Sequence, residues 1–242
     1  MNAIETHGLT KKYKELSAVN GLELTVRAGE LFALLGVNGA GKTTTIKMLS
    51  CLSRPTAGDA LLLGKSVTRE PEAVKALIAV SPQETAVAPK LTVRENLALM
   101  AGIHGTDRAA MREKIDALSR RFGLDEVLDR PAGKLSGGWQ RRLSIAMALI
   151  LEPKIHFLDE PTLGLDVLAR AELWEQIRAL KGEITVILTT HYMEEAESLS
   201  DRIGIMSKGR LIRCGTTAEL MAETGAASLE EAFIALAKEG TR

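Results

Sequence analysis

The sequence predicts an α/β protein with a mostly parallel sheet at its core, a small antiparallel β subdomain and an all-helical insertion. Three observations lead there. Leu31–Leu35, Ile155–Leu158 and Ile184–Thr190 are apolar runs of strand length, as expected of parallel strands buried on both faces. Each leads into a polar or glycine-rich turn and then a helical pattern, the alternation of a doubly wound core. From Leu91 to Leu151 that alternation gives way to helical spacing alone.

Composition agrees. With 45% hydrophobic and 26% charged residues, the 242-residue chain can bury a sizeable core beneath a solvated surface. Thirty-one basic residues balance thirty-one acidic ones, so no bulk field draws the chain to nucleic acid, and any anion site must be local. No stretch approaches the ~20 apolar residues of a membrane span, and the first thirteen residues lack a signal-peptide core. The chain is expected to be soluble on its own. Cys51 and Cys214 fit no metal-ligand spacing and read as reduced thiols.

Around the core, Leu22–Val26 and Ala60–Leu63 suggest the antiparallel sheet. In the insertion, Thr92 and Glu95 form a candidate capping box ahead of Val93, Leu97 and Met100. A charged helix is expected from Thr106 to Phe122, and another from Ser136. In the tail, Ser228 and Glu231 give a second capping box, and Leu229, Ala232, Phe233 and Leu236 form one apolar stripe, expected to pack on the chain itself. The reading is one domain: core and antiparallel part over about 1–83 and 152–215, helical part over about 84–151, tail over about 216–242.

The chemistry starts at Gly36. The run Gly36, Val37, Asn38, Gly39, Ala40, Gly41, Lys42, Thr43 follows a predicted strand and opens a helix that continues with Thr44. Glycines let such a loop turn tightly and bring its amides to phosphate oxygens, and the helix start adds its dipole. Lys42 supplies a cation for the β- and γ-phosphates, and Thr43 a hydroxyl for Mg²⁺. A chance match in a chain of this length is roughly a one per cent event. The core is therefore that of a P-loop NTPase, with ATP and Mg²⁺ as its expected ligands.

The strand Ile155–Leu158 ends in Asp159 and Glu160. Asp159 suits a metal held through its water shell, and Glu160 suits a base for attacking water. His191, at the same end of the sheet, can hydrogen-bond a γ-phosphate. His156, inside an apolar strand, reads as a hydrogen-bonded core histidine.

Leu135-Ser136-Gly137-Gly138 lies about a hundred residues after the cradle and shortly before Asp159-Glu160-Pro161. That order resembles the ABC ATPases over nearly the whole chain. The resemblance implies that Tyr13 stacks on adenine and that Gln83 touches Mg²⁺ and water. It implies that Asp166, in Leu163-Gly164-Leu165-Asp166, crosses a dimer interface, and that His191 senses the γ-phosphate. It further implies that Ser136, Gly137 and Gly138, at a helix start capped by Ser136, meet the nucleotide of a second copy, so that ATP closes a sandwich dimer. Trp139 stands where the family usually has Gln; packing on a ribose across the interface and packing on the helical insertion are both open. Val37 stands where Pro is frequent.

Thr189–Ala196 and Ser228–Phe233 resemble the bacterial exporter branch, whose integral membrane permease is a separate chain. The implied place is the cytoplasmic face of the membrane, with a permease groove near Gln83–Leu99. An importer ATPase and a soluble ABC ATPase, such as one of iron–sulfur cluster assembly, are the alternatives. The stretch before Leu135 is too short for the coiled coils of DNA-repair relatives, and one cradle is present where translation factors have two.

Overall fold

The computed structural model describes residues 1–103, Gly105 and 107–239. Thr106, the expected start of a helix, and the last three residues of the expected tail lie outside the described residues.

The core sheet contains β4 (Leu31–Leu35), β7 (Ile78–Ser81), β8 (Ile155–Asp159), β9 (Thr185–Thr190), β10 (Arg202–Ser207) and β11 (Arg210–Gly215). Their order is β11-β10-β4-β9-β8-β7, and every pair is parallel except β10 with β11. β4, β8 and β9 are buried at every residue, with alternate side chains entering two cores. Leu31, Ala33 and Leu35 face the helical side, and Phe32 and Leu34 face the antiparallel sheet. Burial on both faces is why these strands read as unbroken apolar runs. The register pairs Leu35 with Thr190 and Asp159 with Thr189, so the cradle, the acid pair and His191 leave the sheet at one end.

The antiparallel sheet consists of β1 (Asn2–Tyr13), β2 (Leu16–Leu22), β3 (Thr25–Arg27), β5 (Ala57–Leu62) and β6 (Lys65–Ser66), in the order β2-β1-β5-β6 with β3 also on β1. The expected strand Leu22–Val26 is broken in two. Thr6 marks the break: its hydroxyl donates to the Leu22 carbonyl at 2.8 Å and accepts from the Leu24 amide at 2.7 Å, while its own amide still donates to the Leu24 carbonyl at 2.9 Å. β1, the longest strand, goes beyond the sequence expectation. Shifts in its register with β2, β3 and β5 blur the alternation that would have announced it.

Helices α1 (Lys42–Leu49) and α2 (Pro71–Lys75) precede the helical stretch α3 (Val93–Ile103), α4 (Arg108–Arg121) and α5 (Gly137–Leu149). The Thr92–Glu95 capping box forms reciprocally, with Thr92 N donating to Glu95 at 2.8 Å and Glu95 N to Thr92 at 3.1 Å. Asp107 caps α4. Ser136 precedes α5, but its hydroxyl makes no capping bond, contrary to expectation.

After β8 and β9 come α6 (Val167–Arg178) and α7 (Met193–Leu199), and the tail forms α8 (Thr217–Thr224) and α9 (Leu229–Glu239). The second expected capping box is half made. Glu231 N donates to Ser228 Oγ at 3.2 Å, while the Glu231 carboxylate accepts from Ala227 N instead of Ser228 N. The stripe Leu229, Ala232, Phe233 and Leu236 is buried against the chain's own α7, α8 and β10.

Candidate nucleotide site

A cleft of about 640 Å³ opens at the carboxyl ends of the core strands. Its lining includes Tyr13, the loop residues Asn38, Gly39, Ala40 and Gly41, then Lys42, Thr43, Thr44, Gln83, Glu160 and His191. Gly41 has φ +103°, and a Cβ there would meet the Ala18 carbonyl at 2.6 Å; a Cβ on Gly36 would meet the Met206 carbonyl at 2.6 Å. Only glycine lets the loop lie this close to its supports. No side chain caps the start of α1, so its first-turn amides face the cleft with the helix dipole behind them.

Lys42 is 5% exposed and Glu160 7%, with Nζ 3.2 Å from Glu160 Oε1. The same ammonium donates to the Gly36 carbonyl at 2.6 Å and reaches the Val37 carbonyl at 3.4 Å. Glu160 Oε2 lies 2.7 Å from His191 Nδ1. Glu160 also holds φ +48°, an uncommon conformation for a residue with a Cβ, fixed by its amide bonding to Thr189 O and Oγ1, each at 3.1 Å. Asp159 Oδ1 accepts from Thr43 Oγ1 at 3.1 Å and from Thr189 Oγ1 at 2.5 Å. An ammonium, a carboxylate, an imidazole and a hydroxyl thus face one space, with Asp159 just behind the Thr43 hydroxyl and not itself part of the lining. Among the described residues no group of three His, Cys, Asp or Glu could hold a metal ion. The donors fit a cation that takes most of its ligands from phosphate and water, as Mg²⁺ does.

Tyr13, 45% exposed at the end of β1, has Lys11 Nζ 5.0 Å from its ring centroid. Ser136, Gly137, Gly138 and Asp166 are not among the residues lining this cleft. They gather beside it. A Cβ on Gly137 or Gly138 would touch Leu165 or Ala169, and Asp166 caps α6 by accepting from Ala169 N at 2.9 Å. Trp139 is partly buried against the helical core, with the Arg142 guanidinium 4.9 Å from its ring centroid. The cluster it packs against is shared by the core sheet and the helical part.

His156 is fully buried, with Nε2 2.9 Å from Ser81 Oγ. Burial, and then the Arg141 charge, pull its pKa down to about 3, so it is neutral at physiological pH. Cys51 and Cys214 are free thiols whose pKa values are raised, chiefly by burial.

Arg141, which follows Trp139 and Gln140 as the family resemblance leads one to expect, has no role assigned to it from the sequence. It is 3% exposed on α5 and donates to the carbonyls of Pro161 at 2.8 Å, Asp159 at 2.9 Å and Gln83 at 3.3 Å, and also to that of Pro82. One guanidinium therefore joins the segment of Gln83, the end of β8 and the turn after Glu160. Burial lowers its pKa to about 10, opposed by Asp159 and Glu195, which leaves it charged at neutral pH. The available signal was a charge on the same helix face as Ile145 and Ala148, both buried. Arg141→Ala strands these carbonyls, a loss of about 1–3 kcal/mol for each buried acceptor left unsatisfied. The melting temperature should fall by on the order of 10 °C; a fall under about 2 °C in calorimetry would show that water replaces the guanidinium.

The ABC transporter family model matches residues 19–163. The chain is 46% identical over 224 residues to the daunorubicin/doxorubicin resistance ATP-binding protein DrrA of Streptomyces peucetius, covering 92% of this chain and 68% of that protein. It is 40% identical over 219 residues to the Nod factor export ATP-binding protein I of Ralstonia nicotianae, covering 90% and 68%. A solved ATP-binding subunit of an ABC transporter superposes with a TM-score of 0.86 at 32% identity, over 97% of this chain and 99% of that one. Together with a cleft built for a nucleoside triphosphate, these likenesses establish that the chain belongs to the ABC transporter family, as an ATP-binding subunit that hydrolyses ATP.

Proposed function

We propose that this subunit powers export through separate integral membrane permease subunits, two copies closing on ATP and opening after hydrolysis. Export rests on relatives named for drug resistance and for Nod factor export. The sandwich rests on one observation: Ser136 and Gly137 are exposed outside the cleft of their own chain, at a helix start without a side-chain cap. Such amides suit a γ-phosphate held by another copy. Leu163, Val167 and Leu168, flanking Asp166, are exposed apolar residues that a second copy would cover.

In this reading Tyr13 stacks on adenine, and Asn38, Gly39, Ala40, Gly41, Lys42 and Thr44 hold the phosphates. Thr43 and Asp159, with Gln83, would hold Mg²⁺, which supplies charge neutralisation at the β- and γ-phosphates. Glu160 takes a proton from the attacking water, and His191 donates to the γ-phosphate. Lys42 exchanges its carboxylate partner for phosphate when ATP enters, freeing Glu160 for water. The boundaries near 83, 151 and 215 divide the chain into core, helical part and tail. The permease meets a groove in the helical part near Gln83–Leu99, which sets the chain on the cytoplasmic face. Among the described residues no helix is long and apolar enough to cross a membrane.

The test is a pull-down of tagged Glu160→Gln protein, with ATP, from gently solubilised native membranes. A co-purifying protein with several membrane spans is expected. Recovery of soluble proteins alone, with the closed dimer verified, would overturn the transporter assignment in favour of a soluble ATPase.

A further inference from the structure

We propose that Glu195 is a positioning residue for hydrolysis, tying the segment that carries His191 to the segment that carries Glu160 through Thr162. The proposal rests on the roles given above to Glu160 and His191. Sheet pairing between β8 and β9 ends at Asp159 and Thr189, with one further backbone bond from Glu160 N. Beyond that point two side-chain bonds among the described residues span the gap. One is the 2.7 Å contact of His191 Nδ1 with Glu160 Oε2. The other is Thr162 Oγ1 donating to Glu195 Oε1, also at 2.7 Å. Thr162 follows Glu160 by two residues, and Glu195, in the first turn of α7, follows His191 by four, so the two bonds are rungs between the same pair of segments.

The second rung is fully enclosed. Thr162 and Glu195 are both 0% exposed. Trp174 Nε1, from α6, donates to the same oxygen at 3.2 Å, while Glu195 Oε2 is buried without a regular hydrogen bond. A buried carboxyl so incompletely satisfied is unfavourable for folding, and an apolar side chain would avoid the penalty. The geometry shows what the carboxyl does there. Burial raises the Glu195 pKa, with the Glu160 charge adding to the rise against the hydrogen bonds of Thr190, Thr162 and Trp174. The shift is toward the neutral acid, whose shape an amide can imitate.

The two rungs differ in duty. His191 must leave Glu160 to reach a γ-phosphate, which opens the first rung during turnover. The Thr162–Glu195 bond then keeps the segments in register while Glu160 sits in its strained backbone conformation. A misplacement of about 1 Å between reacting groups is enough to slow chemistry about a hundredfold. The phosphate cradle and Tyr13 lie on other segments, so ATP binding is not expected to change.

The experiment measures steady-state ATP hydrolysis by the full chain carrying Glu195→Ala, Glu195→Gln, Thr162→Val, or Glu195→Ala with Thr162→Val. Glu195→Ala and Thr162→Val should each lower kcat by about tenfold or more with KM for ATP within about threefold. The double variant should be no slower than the worse single one, since both delete one interaction. Glu195→Gln should return kcat to within about threefold of wild type, because its amide oxygen accepts from Thr162 and Trp174 in the same place. Wild-type kcat in Thr162→Val, losses that multiply in the double variant, or a Gln variant as slow as Ala would overturn the proposal. Should Glu195→Ala fail to fold, Thr162→Val carries the test with the same expected fall. Glu160→Gln is the control. If it hydrolyses ATP normally, the underlying reading fails; if it is inactive while Thr162→Val is normal, this proposal fails alone.

Discussion

Glu160→Gln should lower kcat for ATP hydrolysis by about a hundredfold or more, the contribution of a positioned general base, while leaving ATP binding intact. The amide preserves the size of the side chain and an acceptor oxygen, so the 2.7 Å neighbour His191 and the 3.2 Å neighbour Lys42 keep a partner. What disappears is the basicity needed to take a proton from water, together with a negative charge beside the place of the γ-phosphate. Loss of that charge removes a repulsion, so affinity for ATP should hold or rise. The φ of +48° at Glu160 is no harder for Gln than for Glu, so the strand end stays in place. With ATP bound and hydrolysis blocked, the proposed sandwich should accumulate and elute from a sizing column as a dimer. A monomer with saturating ATP would count against the sandwich, and near-normal turnover would remove Glu160 from the role of base.

How well these groups could be found in the sequence depended on what each side chain touches. β4, β8 and β9 were legible because a strand buried on both faces needs an apolar residue at nearly every position. β1 was not, because its bulged pairings break the two-residue period that marks a strand. At the site, Lys42, Thr43, Asp159, Glu160 and His191 stood out by type and order, and the fold sets them within hydrogen-bond reach of one another or of shared partners. Arg141 and Glu195 did not stand out. Glu194 and Glu195 are adjacent and identical in type, yet one is exposed and the other fully buried. The difference lies in which face of α7 meets Thr162 and Trp174, residues 33 and 21 positions away. Arg141 spends its donors on backbone carbonyls, which have no signature in side-chain identity. Groups that act on a ligand are constrained in type; groups that hold those groups in place are constrained by the three-dimensional partner.

Lys42→Ala tests the other half of the site. The Lys42 ammonium is held between the Gly36 carbonyl and the Glu160 carboxylate, both within 3.2 Å, and so waits at a fixed point over the loop. ATP brings phosphate oxygens to that point, and the fixed cation meets them without first ordering a long side chain. A hydrogen bond to a charged partner is worth about 1.5–3 kcal/mol, which corresponds to roughly a 10- to 100-fold weaker Kd when it is removed. Binding should not vanish, because the loop amides and the start of α1 remain, as does Tyr13. The protein should still fold: Glu160 keeps His191 as a neighbour, and that ring is partly open to water. Titration with a fluorescent ATP analogue measures the change directly. An unaltered Kd would mean that the backbone cradle alone holds the phosphates, leaving Lys42 only as the partner of Glu160. Weaker binding with normal folding would place the cation on the phosphates, where its two present partners already point it.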